Sequence, residues 1–335
     1  MTAPIVSVLL PVRDEALYLA EALASLSAQT FSDFEVLVVD DGSTDGSSEI
    51  ARDHARGDGR FRLVSQEALG IVAALEHGRA EARGRLIARM DGDDVALPGR
   101  LEAQVDALAD GALAACGGRV AYFPEEAVRD GARRYERWLN GLVTPEAAAR
   151  DVFVECPLPH PALTVRADAL AAAGGYRNPG WPEDYDLVLR LWAAGARFRN
   201  VEAPVLRWRE HGSRRSRSDP AYSLEAFVRC KVHHLRSTLL GGFPGVVVWG
   251  AGPVGKSFAR ELRAQGVKVA AFVDVDPRKI GHNVHGAPVV SIKDAASFRN
   301  SFALGAVAGE VARAEIRDAV AAEGRHDGVD FVAVA

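Results

Sequence analysis

The sequence predicts an α/β protein built on two open, mainly parallel sheets. Three observations carry that prediction. Short apolar runs alternate with amphipathic segments over the first hundred residues, the order expected of a doubly wound sheet. Two of the runs end in acids, Val36-Leu37-Val38-Val39-Asp40-Asp41 and Leu86-Ile87-Ala88-Arg89-Met90-Asp91-Gly92-Asp93-Asp94. Strands buried on both faces read as continuous apolar runs, and open α/β sheets bind ligands beyond the carboxyl ends of their strands. Finally, Gly241-Gly242-Phe243-Pro244-Gly245 breaks the chain, and a second alternation starts behind it with a glycine loop.

Ile5 to Pro11 reads as the first strand. Leu19, Ala22, Leu23 and Leu26 recur at helical spacing and predict a helix over 16–29. Phe34 to Val39 is the next strand, and Ser43 or Thr44 is the expected cap of a helix through Ile50 and Ala51. A strand over 61–65, a helix over 71–82 and a strand over 85–90 complete the first half. Beyond Leu101 the pattern loosens into a helix over 101–109, a strand over 119–123, elements near 135–142 and 151–155, a strand over 163–166 and a short helix over 168–173. An amphipathic helix over 185–194 stops at Gly195, and strand structure over 198–208 is broken by Pro204. A helix over 223–240 runs into the Gly/Pro knot, which sets the expected domains at 1–240 and 245–335. The second domain predicts strands at 246–249, 267–274, 288–291, 302–307 and 329–334, with a helix over 256–265.

Composition narrows the function. The chain of 335 residues is 48% apolar and 25% charged, which is that of a globular protein large enough for two cores. A net charge of -5 argues against nucleic acid as a partner. Between Arg207 and Arg236, eight Lys/Arg face three acids, a local basic stretch suited to a diphosphate or an anionic membrane surface. The three scattered cysteines give neither a zinc spacing nor a disulfide framework, in keeping with a reduced, cytoplasmic setting. No window approaches the roughly 18 apolar residues of a membrane span, so membrane work is expected to be peripheral, at the inner face.

The two acidic clusters carry the chemistry. Carboxylates gathered at one sheet edge repel one another unless a cation lies between them. Alternate acids in the Asp91-Gly92-Asp93-Asp94 turn suit a single Mg²⁺ or Mn²⁺. From Val6 to about Ser216 the chain resembles the family 2 inverting glycosyltransferases of the GT-A fold. The resemblance rests on Ser7-Val8-Leu9-Leu10-Pro11-Val12-Arg13-Asp14-Glu15, Asp40-Asp41-Gly42-Ser43-Thr44-Asp45, Ala88-Arg89-Met90-Asp91-Gly92-Asp93-Asp94, His160-Pro161 with Arg166, Gly174-Gly175-Tyr176 and Glu183-Asp184-Tyr185-Asp186-Leu187. Position 14 is Asp where the family commonly has Asn.

The resemblance implies a nucleotide-binding half over about 1–100 and an acceptor half with a helical extension over 101–240. It implies a nucleotide-sugar donor, UDP-linked in the simplest case, and a glycan or lipid-linked glycan acceptor in surface polysaccharide synthesis. Pro11, Val12, Arg13, Glu15, Asp40, Asp41, Asp91, Asp94, Glu183, His211 and Arg214 are the implied donor-binding residues, with Asp41 on the base. Asp93, Asp91 and His211 are the implied metal ligands. Asp184 is the implied general base. By residue chemistry alone, Glu183 and Asp184 also suit a plain helix start, His160 a structural role as well as an acceptor-side one, and Trp181 either a sugar platform or loop packing.

The second domain opens with Gly250-Ala251-Gly252-Pro253-Val254-Gly255-Lys256-Ser257. This satisfies both a GxGxxG turn and a GxxxxGKS phosphate loop. A strand ending in Asp274 favours the former, a Rossmann-like domain with Gly250, Gly252, Gly255 and Asp274 on a nucleotide. The expected ligand is NAD or a nucleotide-sugar. The alternative is an empty docking or dimerisation module making a homo-oligomer. Two rival functions stand beside the transferase: an NAD-dependent sugar-nucleotide enzyme centred on this domain, and a non-catalytic UDP-binding module.

Overall fold

The computed structural model describes residues 3–109, 111–212 and 214–335. Contacts divide the chain into two units. One comprises Met1–Ala149, Pro157–Pro179 and Asp186–Ser218; the other comprises Arg150–Cys156, Gly180–Tyr185 and Asp219–Ala335.

The first unit is built on an eight-stranded sheet of β1 (Val6–Val12), β2 (Phe34–Asp41), β3 (Phe61–Gln66), β4 (Leu86–Arg89), β5 (Val95–Ala96), β6 (Ala115–Phe123), β7 (Thr164–Arg166) and β8 (Phe198–Arg209). Its order is β3-β2-β1-β4-β7-β6-β8-β5. The first four are parallel, as the apolar runs predict, whereas β7 is antiparallel to both β4 and β6. Helices α1 (Leu19–Ser27), α2 (Ser47–Gly57), α3 (Ile71–Glu81), α4 (Arg100–Ala107), α5 (Asp130–Gly141), α6 (Pro145–Arg150), α7 (Ala167–Ala172), α8 (Glu183–Ala193) and α9 (Arg215–Ser218) follow in chain order. Leu19, Ala22, Leu23 and Leu26 bury the predicted face of α1 against the apolar residues of β1, β2 and β4.

Two local expectations are corrected. Pro204 does not break β8: the ladder with β6 slips from Gly118↔Val201 to Arg119↔Pro204, and the strand continues to Arg209. The bulge accommodates a residue with no N–H to offer. Neither Ser43 nor Thr44 caps α2, which starts behind Gly46. Both are drawn to the loop after β1, where the Ser43 hydroxyl accepts the Asp14 N–H and Thr44 donates to the Asp14 carboxylate.

The second unit holds a six-stranded sheet of β9 (Val246–Trp249), β10 (Val269–Val273), β11 (Asn283–Val284), β12 (Ala287–Val290), β13 (Phe302–Gly305) and β14 (Phe331–Ala333), in the order β11-β12-β10-β9-β13-β14. Helices α10 (Leu224–Thr238), α11 (Pro253–Ala264) and α12 (Glu310–Ala322) accompany it. The chain leaves β9 for β10 on one side and returns to β13 on the other. That reversal opens a crevice beyond the ends of β9 and β13.

Candidate active site

The exits of β1 and β2 are sewn together. Asp14 adopts a left-handed backbone at φ 55, which Asp and Asn tolerate best. Its carboxylate accepts the Thr44 N–H at 2.8 Å. The Ser47 hydroxyl accepts the Glu15 N–H at 2.9 Å, and Asp45 accepts the Ala16 N–H at 2.9 Å. Pro11 and Val12 end β1 beside Val39 and Asp40, and Arg13 stands 3.7 Å from Asp41. Asp40 accepts the Ser43 N–H at 3.0 Å and the Ser48 hydroxyl. Asp41, 3% exposed, accepts from the Gln66 amide at 2.8 Å, the Leu69 N–H at 2.8 Å and the Gly70 N–H at 2.9 Å. Asp41 therefore fixes the loop after β3. With four lone-pair positions on a carboxylate, a further donor can still be received.

The second cluster leaves β4. Buried Arg89 pairs with Asp91 at 2.5 Å. Asp94 accepts the Arg209 N–H at 2.7 Å, and the Arg209 guanidinium donates to the Asp93 carbonyl at 2.6 Å. His211 Nε2 lies 2.7 Å from Asp93 Oδ2. The end of β8 thus brings Arg209 and His211 onto the turn. The Tyr18 ring supports both, 4.4 Å from the Arg209 guanidinium carbon and 5.3 Å from the His211 ring. Arg214 pairs with Glu210 at 3.2 Å and adds positive charge opposite Asp91 and Asp94.

The electrostatics are those of too many carboxylates. Burial, then Asp93, Asp91, Asp45 and Asp14, push Glu15 up to about 8. Burial and Asp91 raise Asp93 against the pull of His211 and Arg214. Burial, Asp93 and Asp91 hold Asp94 well above the carboxylate range. One oxygen each of Asp91, Asp93 and Asp94 falls within 4.8 Å of the others, and buried Asp94 Oδ2 has no hydrogen-bond donor. This oxygen-rich set, with an imidazole beside it, fits a hard divalent cation such as Mg²⁺ or Mn²⁺.

Glu183 and Asp184 open α8 and belong to the second unit. Glu183 is 2% exposed and accepts from the Tyr222 hydroxyl at 2.8 Å. Asp184 Oδ1 lies 2.7 Å from the Tyr185 N–H. Trp181 packs with its ring 5.0 Å from that of His233. In the first unit, His160 is buried beside Tyr176, and burial with Arg89 and Arg215 holds it well below its ordinary value, neutral at physiological pH. The basic stretch after Arg207 is largely engaged within the fold: Arg209 with Glu21 and Asp93, Arg214 and Arg217 with Glu210, Arg229 with the Gly180 carbonyl, and Lys231 with the Val154 and Val334 carbonyls.

The glycine loop of the second unit opens onto a cavity of about 570 Å³ lined by Gly250, Gly252 and Asp274 among others. Gly250 is left-handed at φ 112, and a Cβ on Gly255 would meet the Gly250 carbonyl at 1.9 Å. Asp274 accepts the Ala251 N–H at 2.8 Å and the Lys279 ammonium at 2.9 Å, so it braces the loop.

Arg89, Arg209 and Tyr18, which stand at the acidic turn, were not among the site residues expected from the sequence. A charged residue inside the Leu86–Arg89 strand was one visible signal. The other two are joined only by the fold.

Fold and site together define the class of this protein, a glycosyltransferase. Residues 7–167 match the family described as glycosyl transferase family 2, and residues 245–326 match the CoA binding domain. The chain is 32% identical over 230 residues to the putative glycosyltransferase EpsE of Bacillus subtilis, covering 67% of this chain and 80% of EpsE. It is 27% identical to the O-antigen biosynthesis glycosyltransferase WbnJ of Escherichia coli, covering 70% of this chain and 89% of WbnJ. The fold is similar to that of S. aureus TarS 1-349 solved with UDP-GlcNAc, at a TM-score of 0.56, 18% identity, and 77% and 71% coverage of the two chains. The chain belongs to glycosyl transferase family 2.

Proposed function

We propose that this protein is a metal-dependent, inverting glycosyltransferase that draws its sugar from a nucleotide-diphosphate sugar, with UDP as the nucleotide. One observation supports this above the others: Glu15, Asp91, Asp93 and Asp94 crowd one sheet edge with His211 and Arg214 beside them. Asp91 and Asp93, with His211, would hold the cation, which neutralises charge on a departing diphosphate when bound. Arg214 adds a fixed positive charge there. Asp41 receives the base of the nucleotide, with Pro11, Val12, Arg13 and Asp40 shaping that side. Asp184 takes the proton of the acceptor hydroxyl as the acceptor oxygen bonds to the anomeric carbon and the bond to the diphosphate breaks. Inversion requires base and leaving group on opposite faces of the sugar.

The relatives are named for glycosyl transfer and, for WbnJ, O-antigen biosynthesis, which supports a role in surface polysaccharide assembly. The acceptor is accordingly a glycan or lipid-linked glycan, met at the cytoplasmic face of a membrane. Among the described residues no helix is long and apolar enough to cross one, and we read the contact as peripheral. Gly250, Gly252, Gly255 and Asp274 form a second, separate nucleotide site. The test is release of nucleoside diphosphate from a panel of UDP-, GDP- and dTDP-sugars with a membrane glycolipid extract, in Mn²⁺ and in EDTA. Turnover that is indifferent to EDTA overturns the metal reading, and turnover confined to GDP- or dTDP-sugars overturns the uridine reading.

A further inference from the structure

The cavity of the second unit has the chemistry of a binding site. Its walls are largely apolar, including Val254, Ile292, Val307 and Ile316; among the described residues no His, Cys, Ser, Thr or Tyr lines it, and its charged residues are Lys279, Glu315 and two aspartates. Its two aspartates are engaged, Asp274 with Ala251 and Lys279, Asp276 with Arg278. Trp249 lines the cavity and is 3% exposed, and its buried indole N–H has no acceptor. The glycine loop leads into the N-terminus of the twelve-residue α11, a site for an anionic group, and Lys279, paired with Asp274 at 2.9 Å, lies on the same cavity.

The same unit contains the segment Gly180–Tyr185, which carries Asp184. It is gripped from 222–233: the Tyr222 hydroxyl on Glu183 at 2.8 Å, Arg229 on the Gly180 carbonyl at 2.7 Å, and the His233 ring against Trp181. The Tyr185 hydroxyl adds a bond to the Val152 carbonyl at 2.7 Å, and its ring meets Phe227. Most of these grips come from α10. That helix in turn meets α11, where Gln265 donates to the Arg229 carbonyl at 3.3 Å. Buried Lys231 on α10 also binds the Val334 carbonyl just after β14, at 3.1 Å. A continuous set of contacts therefore runs from the glycine-loop helix to the residues flanking Asp184.

We propose that this cavity is an effector site of the transferase. It takes a phosphate-bearing ligand with a flat or apolar body, and α11 and α10 transmit its occupancy to the segment holding Asp184. The inference rests on the reading of Asp184 as the base. Ligand that orders α11 stiffens α10 and raises the fraction of molecules with that segment in place. Tyr222 is a positioning residue in this scheme.

The full-length protein is titrated with coenzyme A and, separately, with NAD⁺. Indole fluorescence is read with Trp249→Phe as the control. Hydrogen exchange of peptides spanning 180–185 and turnover of donor sugar are followed in parallel. At least one probe is expected to bind with a Trp249-dependent signal, slow exchange at 180–185 by threefold or more, and raise kcat threefold or more with donor KM unchanged. Ala312→Phe, which fills the cavity from α12, should remove all three effects. Tyr222→Phe should keep probe binding and lose the kcat response. Failure of both probes to bind overturns the proposal, as does binding that moves neither exchange nor kcat. Exchange needs no turnover, so protection at 180–185 alongside undiminished transfer by Asp184→Asn would sink the base reading and leave the coupling standing.

Discussion

Asp41→Ala separates the structural role of the first acidic cluster from its proposed recognition role. The wild-type carboxylate receives three donors, Gln66, Leu69 and Gly70. Hydrogen bonds to a charged group contribute about 1.5–3 kcal/mol each when buried. Leu69 is 67% exposed, so water can reach its freed N–H and the low end applies. Two backbone bonds at about 1.5 kcal/mol each give a loss of about 3 kcal/mol for Asp41→Ala. Asp41→Asn keeps one acceptor oxygen and loses the charge opposite Arg13, and should lose only about 1 kcal/mol. Urea unfolding followed by circular dichroism gives both values, and calorimetric titration with UDP reads the second role. Both variants should lose UDP affinity, although they differ in stability. An Asp41→Ala protein within about 0.5 kcal/mol of wild type would refute the loop-holding argument. Unchanged UDP binding in Asp41→Asn would refute base recognition.

Four further outcomes are expected. Asp184→Asn should lower kcat by about 10²–10⁴ with donor KM nearly unchanged, and near-normal turnover would rule out a base at this position. Asp93→Ala should abolish both activity and calorimetric Mn²⁺ binding, whereas retained Mn²⁺ affinity would move the metal elsewhere. Gly255→Ala places a methyl 1.9 Å from the Gly250 carbonyl and should destabilise the second unit by about 3 kcal/mol, measured as a lowered unfolding midpoint. Burial opposes the charge on Glu35, but Arg83 and Ser7 hold the folded-state value below the ordinary 4.5. Its contribution is therefore present above about 4.5 and is lost as pH falls through the folded value. Glu35→Gln should flatten the acid limb of a Tm-against-pH curve, and an unaltered limb would remove Glu35 from acid stability.

The parallel half of the first sheet was legible because β1, β2 and β4 are predominantly apolar runs, as burial on both faces requires. What followed was harder for physical reasons. The bulge at Pro204 sets extra residues of β8 against consecutive residues of β6, so it is defined only once the two strands pair. Two-residue β5 has no periodicity to read. Helix α12 was not foreseen, and its buried positions are only Arg313 and Val320, too sparse for an apolar stripe. In the site, acids at strand ends stood out because a core has no use for them. Their partners did not: Arg209 is 116 residues from Asp93, and Ser43 turns to Asp14 across 29 residues instead of capping its own helix.

The division of the chain into interleaved units has a consequence for biosynthesis. Segments 150–156 and 180–185 leave the ribosome before Lys231 and Tyr222, which hold them. Domains usually fold in order as they emerge. Here the stretch bearing Asp184 must wait for residues 222–233. A product cut short before Tyr222 would retain the acidic sheet edge while segment 180–185 lacked the partners that grip it.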